Sequence, residues 1–314
     1  MSPPEYIVTR NHAMTQAVSA RRKVRRMENT NKKLVAFILL LPLIIWLVFF
    51  ALLPLLYGFY LSFNSVRIQN LSAPVWNGLA NYQRLLTDKV FLQSITWSVR
   101  FAIISVAIEM VLGMVLANVF NRNFFGKGVA LTLLLLPMVV SPALMGTMFR
   151  LLFNEFVGPI AFLLSGITGT TAFLGMVWIN RTIILADTIN RTPMVFLNTY
   201  SALQGVSEEL IEAAKIDGAS WTQTTFKIVF PLILPILGVT FLERLLAAFL
   251  VFELVFALSS GGPGTFTQSV SIFIYRRAFE RSDFGMANAA SITIAFFLFF
   301  PAMYLVRRMI RSVR

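Results

Sequence analysis

Acidic and small residues are concentrated in one polar stretch, residues 207–220, which lies between two strongly apolar segments. Ser207 can cap a helix, and the two glutamates that follow it place negative charge in the first turn, where the helix dipole favours it. Gly218 suits the left-handed position that ends such a helix. The pattern predicts a short amphipathic helix, a turn and a second helix from about Trp221. Its chemistry is that of docking through charged and small side chains.

The rest of the sequence offers little for catalysis or metal binding. It contains no cysteine and a single histidine, His12. The lack of cysteine excludes disulfides and thiolate metal sites. The single histidine makes most general-base catalysis and histidine-ligated metal sites unavailable to the chain. We predict no catalytic residue, no metal site and no enzymatic activity for this chain.

A second set of polar side chains interrupts segments that are otherwise apolar. Within a membrane such groups face a bundle interior or a wet cavity, where they can hydrogen-bond a hydroxyl-rich ligand. Helical spacing brings residues 187, 190, 191 and 194 near one face, whereas the adjacent residues 243 and 244 point about 100° apart. An equally weighted alternative is that these residues pair with each other or with a partner subunit. The candidates are Asp187, Asn190, Arg191, Met194, Glu243, Arg244 and Glu253.

Composition indicates a helical protein that crosses the membrane several times. Of 314 residues, 57% are hydrophobic and 13% are charged, which is unlike a soluble domain. The formal charge of +13 comes largely from basic residues beside apolar runs, as expected for membrane orientation. This distribution argues against nucleic-acid binding.

Apolar runs predict six transmembrane helices, with both termini cytoplasmic. A basic tail, 1–33, precedes the first span, and a basic C-terminus, 307–314, follows the last. The first run is long enough to cross a bilayer and too long for a signal-peptide core, so we expect it to be retained. The excess of basic residues in the predicted inner segments places the polar stretch in a cytoplasmic loop, 204–227. The spans are about 34–56, 96–120, 129–153, 182–203, 228–258 and 287–306.

The polar stretch resembles the cytoplasmic EAA motif of ABC importer permeases. Glu212, Ala213 and Ala214 are followed after three residues by Gly218, and then after nine by Ile228-x-Phe230-Pro231. The family pattern has leucine where Phe230 stands, which is an apolar exchange. The resemblance implies that Glu212 anchors the loop on an ATPase and that the two alanines allow close approach. It also implies that Gly218 sets the turn, and it includes Asp217 in the coupling surface.

Further motifs resemble the carbohydrate-uptake branch, the maltose-transporter-like permeases. The stretch 212–220 reads EAAKIDGAS, residues 78–91 follow the pattern GLxNYxxLLxDxxF, and residues 261–264 read GGPG. The last two features resemble the first of the two permease subunits more than the second. The resemblance covers about 34–306. It implies the type I importer permease fold and sugar or oligosaccharide import by alternating access.

The resemblance also implies the partners of the chain. These are a second related permease, two ATP-binding subunits, an extracytoplasmic solute-binding protein, the sugar and membrane lipid. The chain needs no cofactor of its own, because ATP and magnesium bind the partner ATPase subunits. Gly126-Lys127 is no P-loop, since Asn121 stands where that motif requires its first glycine. The implied location is the cytoplasmic (inner) membrane of a bacterium or archaeon.

Other functions remain open from the sequence. An importer of the same type could carry an anionic solute such as a uronate oligosaccharide or glycerol phosphate, because arginines interrupt the spans. It could also carry another non-sugar solute such as phosphate or a polyamine. An ion-coupled secondary transporter could use Asp187, Glu109 or Glu253 for the coupling ion, but it would have no use for an EAA loop. A membrane enzyme would usually carry His, Cys or paired acidic motifs, which this sequence lacks.

Overall fold

The computed structural model describes residues 35, 37–70 and 73–312, so the predicted basic tail lies outside the described residues. Contacts divide the chain into two units, Met1–Tyr60 and Leu61–Arg314. All described residues of the first unit except Val35 lie in the helix α1, Phe37–Ser62, whose last two residues belong to the second unit. An 18-residue window of this helix has a mean hydropathy of 2.9. A π-helical turn, Val48–Leu52, interrupts its regular course. Its length and its apolar side chains suit a membrane-crossing helix.

The second unit is mainly helical. Two short strands, β1 (Asn64–Ser65) and β2 (Val75–Trp76), form an antiparallel pair in which Asn64 faces Trp76. A 3-10 turn, Ile68–Asn70, lies between these strands, and a π-helical turn, Arg276–Glu280, follows α11. The helices, in chain order, are α2 (Ala80–Thr87), α3 (Lys89–Phe120), α4 (Lys127–Val139), α5 (Pro142–Leu152), α6 (Pro159–Thr168), α7 (Ile179–Gln204), α8 (Glu208–Ile216), α9 (Trp221–Phe249), α10 (Glu253–Ser259), α11 (Val270–Tyr275) and α12 (Phe284–Ser312).

Four of these helices, α1, α3, α9 and α12, are long and apolar enough to cross a membrane, and the bent pair α4 and α5 could form a fifth span. The 26-residue helix α7 is long enough but carries more polar side chains. The second predicted span begins earlier than expected, at Lys89, because the Asp88 carboxylate caps the helix there. The six-span topology with cytoplasmic termini stays a prediction.

The segment predicted as the third span folds as two helices. The axes of α4 and α5 differ by 96°. Ser141 is extended because the ring of Pro142 disfavours a helical residue before it. Pro142 then occupies the first turn of α5, where its missing N–H costs nothing, and the Ser141 hydroxyl accepts from the backbone N–H of Leu144 at 3.3 Å. The sequence predicts a kink here, and the proline makes it a break.

The segment predicted as the fifth span is also interrupted. Helix α9 ends at Phe249 and α10 begins at Glu253, so residues 250–252 are non-helical. The Leu250 carbonyl at this break accepts a hydrogen bond of 2.8 Å from the Ser271 hydroxyl. The two helices that follow the breaks pack closely, since a Cβ on Gly146 of α5 would lie 2.5 Å from the Leu254 carbonyl oxygen of α10.

The GLxNY segment is explained by its hydrogen bonds. Asn81 is fully buried, and its Nδ2 donates to the carbonyls of Ser62 and Asn64 at 2.8 Å each. The Tyr82 hydroxyl and the Ser62 hydroxyl lie 2.7 Å apart. The asparagine therefore satisfies backbone groups where the chain leaves a helix for the strand pair.

The aspartate and phenylalanine that complete this motif hold α3 in place. Asp88 accepts from the N–H groups of Val90 and Phe91 at 2.9 and 3.1 Å, and it pairs with Arg277. Burial lowers the pKa of the Arg277 guanidinium, and the Asp88 carboxylate opposes that shift. Phe91 is fully buried, with its ring 5.2 Å from that of Phe273. These contacts join the start of α3 to the segment before α12.

Helices α3 and α7 form the centre of the second unit. Gly113 of α3 faces α7 so closely that an added Cβ would lie 2.6 Å from Cγ1 of Val195 and 3.0 Å from the backbone nitrogen of Phe196. Small residues permit this approach between helices in membranes, where dispersion contacts replace the hydrophobic effect.

Gly113→Ala should therefore destabilise the protein by about 1–3 kcal/mol, because overpacking must move α3 or α7. Gly166→Ala is the matched control, since a methyl group added to this exposed helical glycine would meet no atom within 4 Å. The control should gain up to about 1 kcal/mol of helix propensity. Thermal unfolding of the two purified variants measures the difference, and equal unfolding temperatures would contradict the packing argument.

Candidate functional site

A buried ion triad, Glu109, Asp187 and Arg244, joins three helices of the second unit. Arg244 of α9 donates from Nε to Oε2 of Glu109 at 2.8 Å and from an amino group to Oε1 at 3.1 Å. The same amino group reaches Oδ2 of Asp187 on α7 at 3.5 Å. Residue exposures are 0%, 3% and 2% for Glu109, Asp187 and Arg244. The bidentate geometry suits the planar guanidinium and fixes the register of α3 against α9.

The triad borders a polar cavity of about 220 Å³, the central cavity. Its walls come from α7, from the start of α5 and from the end of α9 through the start of α10. The formal charges of its four charged lining residues cancel, and Glu109, behind Arg244, adds one negative charge. The charged lining residues are Asp187, Arg191, Arg244 and Glu253.

Both helix breaks open onto this cavity. Pro142 begins the helix after the first break, and residues 250–252 form the second, and all of them line the walls. Irregular backbone at membrane depth is tolerated where it is buried in protein or lines a wet cavity. The irregular backbone therefore forms part of the cavity wall.

Asn190 supports the first break. Its Nδ2 donates to the carbonyls of Pro137 at 2.8 Å and of Val140 at 3.0 Å. Both carbonyls lie where α4 ends, a place where carbonyls lose the donors of a continuing helix, and that of Pro137 also accepts a 3.3 Å bond from the Val140 N–H. The Asn190 side chain, supplied by α7, therefore caps the C-terminal end of α4.

The structure separates the seven residues predicted for the pathway. Asp187, Arg191, Arg244 and Glu253 line the central cavity, whereas Asn190 lies at the helix break. Met194 is half-buried on α7 and is not among the lining residues. Glu243 is exposed and is likewise not among the lining residues, although it neighbours Arg244 in sequence.

Sequence reasoning left Glu109 out of the pathway candidates. A carboxylate in the middle of an apolar span was the available signal, because such a group needs a counter-ion within the bundle. What the sequence did not provide was the partner, since Arg244 lies 135 residues further along the chain.

The polar loop, 204–227, has the two-helix form that its sequence predicts. Ser207 precedes α8, although its side chain makes no capping hydrogen bond. Gly218 has φ +79°, and the N–H groups of Gly218 and Ala219 donate to the carbonyls of Lys215 and Ala214. This Schellman motif ends α8. The sequence-based prediction missed the capping box between Ser220 and Gln223 that starts α9.

Several side chains of this loop are exposed. Ala214 is the buried residue of α8, at 5% exposure, whereas Glu212, Ala213 and Asp217 are exposed. Ile216 is 87% exposed and thus presents a large apolar group to the surroundings. Charged, small and apolar groups on one short helix make a surface suited to binding a protein.

The same loop contacts the segment that follows α3, and the end of α7 contacts the start of α4. The Arg122 guanidinium lies over the Trp221 ring at 5.8 Å. Gln204 donates from Nε2 to Oδ1 of Asn121 at 2.8 Å, and Lys127 lies over the Tyr200 ring at 5.5 Å. These cation–π and polar contacts join the loop and the end of α7 to the neighbouring helix ends.

Residues 109–314 match the family described as binding-protein-dependent transport system inner membrane component. The match covers more than half of the chain and includes both the ion triad and the polar loop. The chain belongs to this family. It is an ABC transporter permease, a multi-pass protein of the inner membrane, and its family is one of transport permeases and not of enzymes.

Relatives of the permease agree with this assignment. The trehalose/maltose transport system permease protein MalF of Thermococcus litoralis is 30% identical over 272 residues, which are 86% of this chain and 92% of that protein. The sn-glycerol-3-phosphate transport system permease protein UgpA of Agrobacterium fabrum is 29% identical, over 83% of this chain and 90% of that protein.

The fold of the permease is that of a solved importer. It matches a chain of a bacterial ABC transporter involved in the import of the acidic polysaccharide alginate, with a TM-score of 0.79. The match covers 92% of this chain and 100% of that one, at 21% identity. The predicted type I importer permease fold is therefore confirmed, and the count of six spans is not decided by it.

Arg244→Met should strongly destabilise the permease, because it leaves the carboxylates of Glu109 and Asp187 buried without their counter-ion. Loss of one partner from a buried ion pair costs about 3–5 kcal/mol. The adjacent, exposed Glu243→Gln is the control and should change stability by less than about 0.5 kcal/mol. Thermal unfolding of the purified variants provides the comparison.

The double variant Arg244→Met with Glu109→Met sharpens this test. It replaces the bidentate pair by apolar groups, so it should recover part of the loss, leaving the Asp187 carboxylate as the remaining cost. Equal stability of the single variant and the Glu243 control would show that the triad does not hold α3, α7 and α9 together.

Proposed function

We propose that this permease forms, with a second related permease, the translocation pathway of an ATP-driven, binding-protein-dependent importer for a neutral sugar or oligosaccharide. The observation that carries the proposal is the central cavity, a polar, charge-compensated space where two helix breaks meet. Two ATP-binding subunits bind on the cytoplasmic side, and an extracytoplasmic solute-binding protein delivers the cargo. The chain crosses the membrane six times, with α7 as one crossing and both termini in the cytoplasm.

The polar loop couples the permease to ATP hydrolysis. Glu212 supplies a charged hydrogen-bonding group to the ATPase, and Ala213 lets the docking surfaces approach. Ala214 packs α8 against the permease, and Gly218 sets the angle between α8 and α9. Asp217 completes the exposed acidic edge of the loop. The exposure of Glu212, Ala213 and Ile216 supports this role.

Helix α9 connects the polar loop to the central cavity. It begins at Trp221 within the loop and continues for 29 residues to Phe249. Arg244 lies 23 residues after Trp221, about 35 Å along the helix at 1.5 Å per residue. A displacement of the loop by the ATPase therefore reaches the ion triad and the cavity wall through one helix, which supports alternating access.

The charge of the cavity favours a neutral cargo. Arginines within the spans raised the possibility of an anionic solute, but Arg244 is occupied by Glu109 and Asp187. Arg191 shares the walls of the same cavity with Glu253 and Asp187. An anion would therefore meet a site without surplus positive charge. Relatives named for trehalose/maltose transport support a sugar.

The volume of the cavity suits a small part of such a cargo. Pockets for drug-sized ligands measure about 300–1,000 Å³, whereas the central cavity has about 220 Å³. We infer that one sugar ring occupies it at a time, with hydroxyls bonded to Asp187, Arg191 and Glu253. The second permease completes the wall.

An importer of glycerol phosphate or another anion is the second candidate, and the relative UgpA is the observation that favours it. An ion-coupled transporter fits less well, because Glu109 and Asp187 are already paired with the Arg244 cation inside the bundle. Glu253 is exposed and lines the central cavity.

Glu212→Lys should abolish ATP-dependent uptake, since it reverses the charge of the docking group. The control Glu208→Lys changes an exposed glutamate of the same helix, outside the EAA motif, and should retain most uptake. Both variants are assayed in proteoliposomes that contain the whole transporter and its binding protein.

Wild-type uptake should stop without ATP and persist after ion gradients are dissipated. Uptake without ATP would refute an ATP-driven importer.

Arg191→Gln distinguishes a neutral cargo from an anionic one. Glutamine keeps a hydrogen-bond donor and removes the charge, so uptake of a neutral sugar should fall by about two- to tenfold. Uptake of an anion bound by this guanidinium should fall by about ten- to a hundredfold or more. The assay compares trehalose, maltose and glycerol 3-phosphate as substrates and as competitors. Transport of glycerol 3-phosphate alone by the wild type would establish the anionic alternative.

A further inference from the structure

A second cavity, the aromatic cavity, lies at the end of the bundle where α3 and α7 begin. It has a volume of about 340 Å³, and its walls belong to α3, α7 and the loop before α11. It shares no lining residue with the central cavity. Its main groups are Gln93, Trp97, Arg100, Phe101, Asn180 and Phe266.

The rings of this cavity form a fixed apolar surface. The Trp97 and Phe101 rings are stacked, with centroids 5.0 Å apart and planes at 7°. The indole Nε1 of Trp97 donates to Oδ1 of Asn180 at 2.8 Å, which fixes the ring against α7. Phe266 lines the same space from the loop. A sugar ring has a C–H face that packs against such rings.

Polar groups surround the aromatic surface. Arg100 and Gln93 are exposed. The side-chain oxygen of Asn180 accepts the hydrogen bond from Trp97, and this bond fixes the orientation of the Asn180 amide group. Among the described residues that line this cavity there is no carboxylate. Donors beside an aromatic face suit hydroxyl groups at the edge of a sugar ring. A lipid chain would need none of them.

The two cavities lie along one stripe of α7. Asn180 and Ile184 line the aromatic cavity, and Asp187 and Arg191 line the central cavity. Spacings of four, three and four residues place these side chains on one helix face. The middles of the two pairs are seven residues apart, about 10 Å along the axis. A saccharide of a few units can span both.

We propose that the aromatic cavity is a second saccharide-binding site, which holds one sugar ring by stacking on Trp97 while the central cavity holds another. The proposal rests on the proposed function, since it requires a sugar as cargo. With α3 and α7 beginning on the extracytoplasmic side, this site is the first that the sugar meets in the permease. It gives the pathway a preference for oligosaccharides over single sugars.

Site-directed labelling tests the occupancy of this cavity directly. The chain has no cysteine, so one introduced thiol reports on one position. Thr96→Cys places a thiol on the cavity wall, and Leu92→Cys, one turn earlier on α3 and exposed, is the matched control. The whole transporter is reconstituted with its binding protein and ATP, and maltose, trehalose and maltotriose are the probes. Labelling of this chain by a small maleimide is measured with and without each sugar.

A transported sugar at ten times its dissociation constant for the aromatic cavity should slow labelling at position 96 about tenfold. The labelling rate at position 92 should not change. Adding Trp97→Ala to Thr96→Cys should remove most of this protection, and Trp97→Phe, which keeps a ring, should retain part of it. ATPase activity confirms that each variant assembles.

Three results would overturn the proposal, and they differ in what else they exclude. Sugar uptake without protection at position 96 would refute the aromatic site and leave the proposed function standing. Equal protection at both positions would indicate a general conformational change and not a bound sugar. Failure of the wild type to take up any of the three sugars, with glycerol 3-phosphate taken up instead, would refute the sugar importer and this site together.

Discussion

The pairing of Arg244 with Glu109 and Asp187 is the interaction on which the centre of this permease depends. Three helices from distant parts of the sequence meet at one guanidinium, and each carboxylate is buried where an unpaired charge would be very costly. Dispersion contacts between small residues, such as Gly113 against Val195, hold helices together in a membrane but have little directionality. The directional hydrogen bonds of the triad therefore set the register of the three helices. The positions of Asp187 and Arg244 in the wall of the central cavity depend on this register.

The second constraint is that backbone groups must be satisfied wherever a helix is broken. The break before Pro142 is supported by Asn190, and the break after Phe249 by the Ser271 hydroxyl at the Leu250 carbonyl. Both breaks lie at the central cavity, so the same irregular backbone that needs support also creates a polar wall. A continuous apolar helix at either place would fill the space with side chains and provide no hydrogen-bonding groups.

Local features of this protein could be predicted from its sequence, and long-range ones could not. The Schellman turn at Gly218, the helix start near Trp221 and the family itself follow from residue types at short spacing, and the structure and the family match agree with them. Asn190 has the residue type of a sugar ligand, but its amide donates to two carbonyls at the end of α4, which lie 53 and 50 residues earlier in the sequence. Glu109 and Arg244 have no shared local pattern. Such pairings depend on how helices pack, and a single sequence gives no information about the packing partner of each face.

The division of charges within the central cavity has a consequence for how such permeases diversify. Arg244 and its two carboxylates maintain the helix arrangement, whereas Arg191 is half-buried and Glu253 is exposed at the wall, and neither belongs to the triad. Substitutions at these two positions can therefore change the net charge of the wall without a large loss of folding stability. A lineage could then acquire a new cargo by few mutations while its scaffold stays intact, so closely similar scaffolds can carry chemically different solutes.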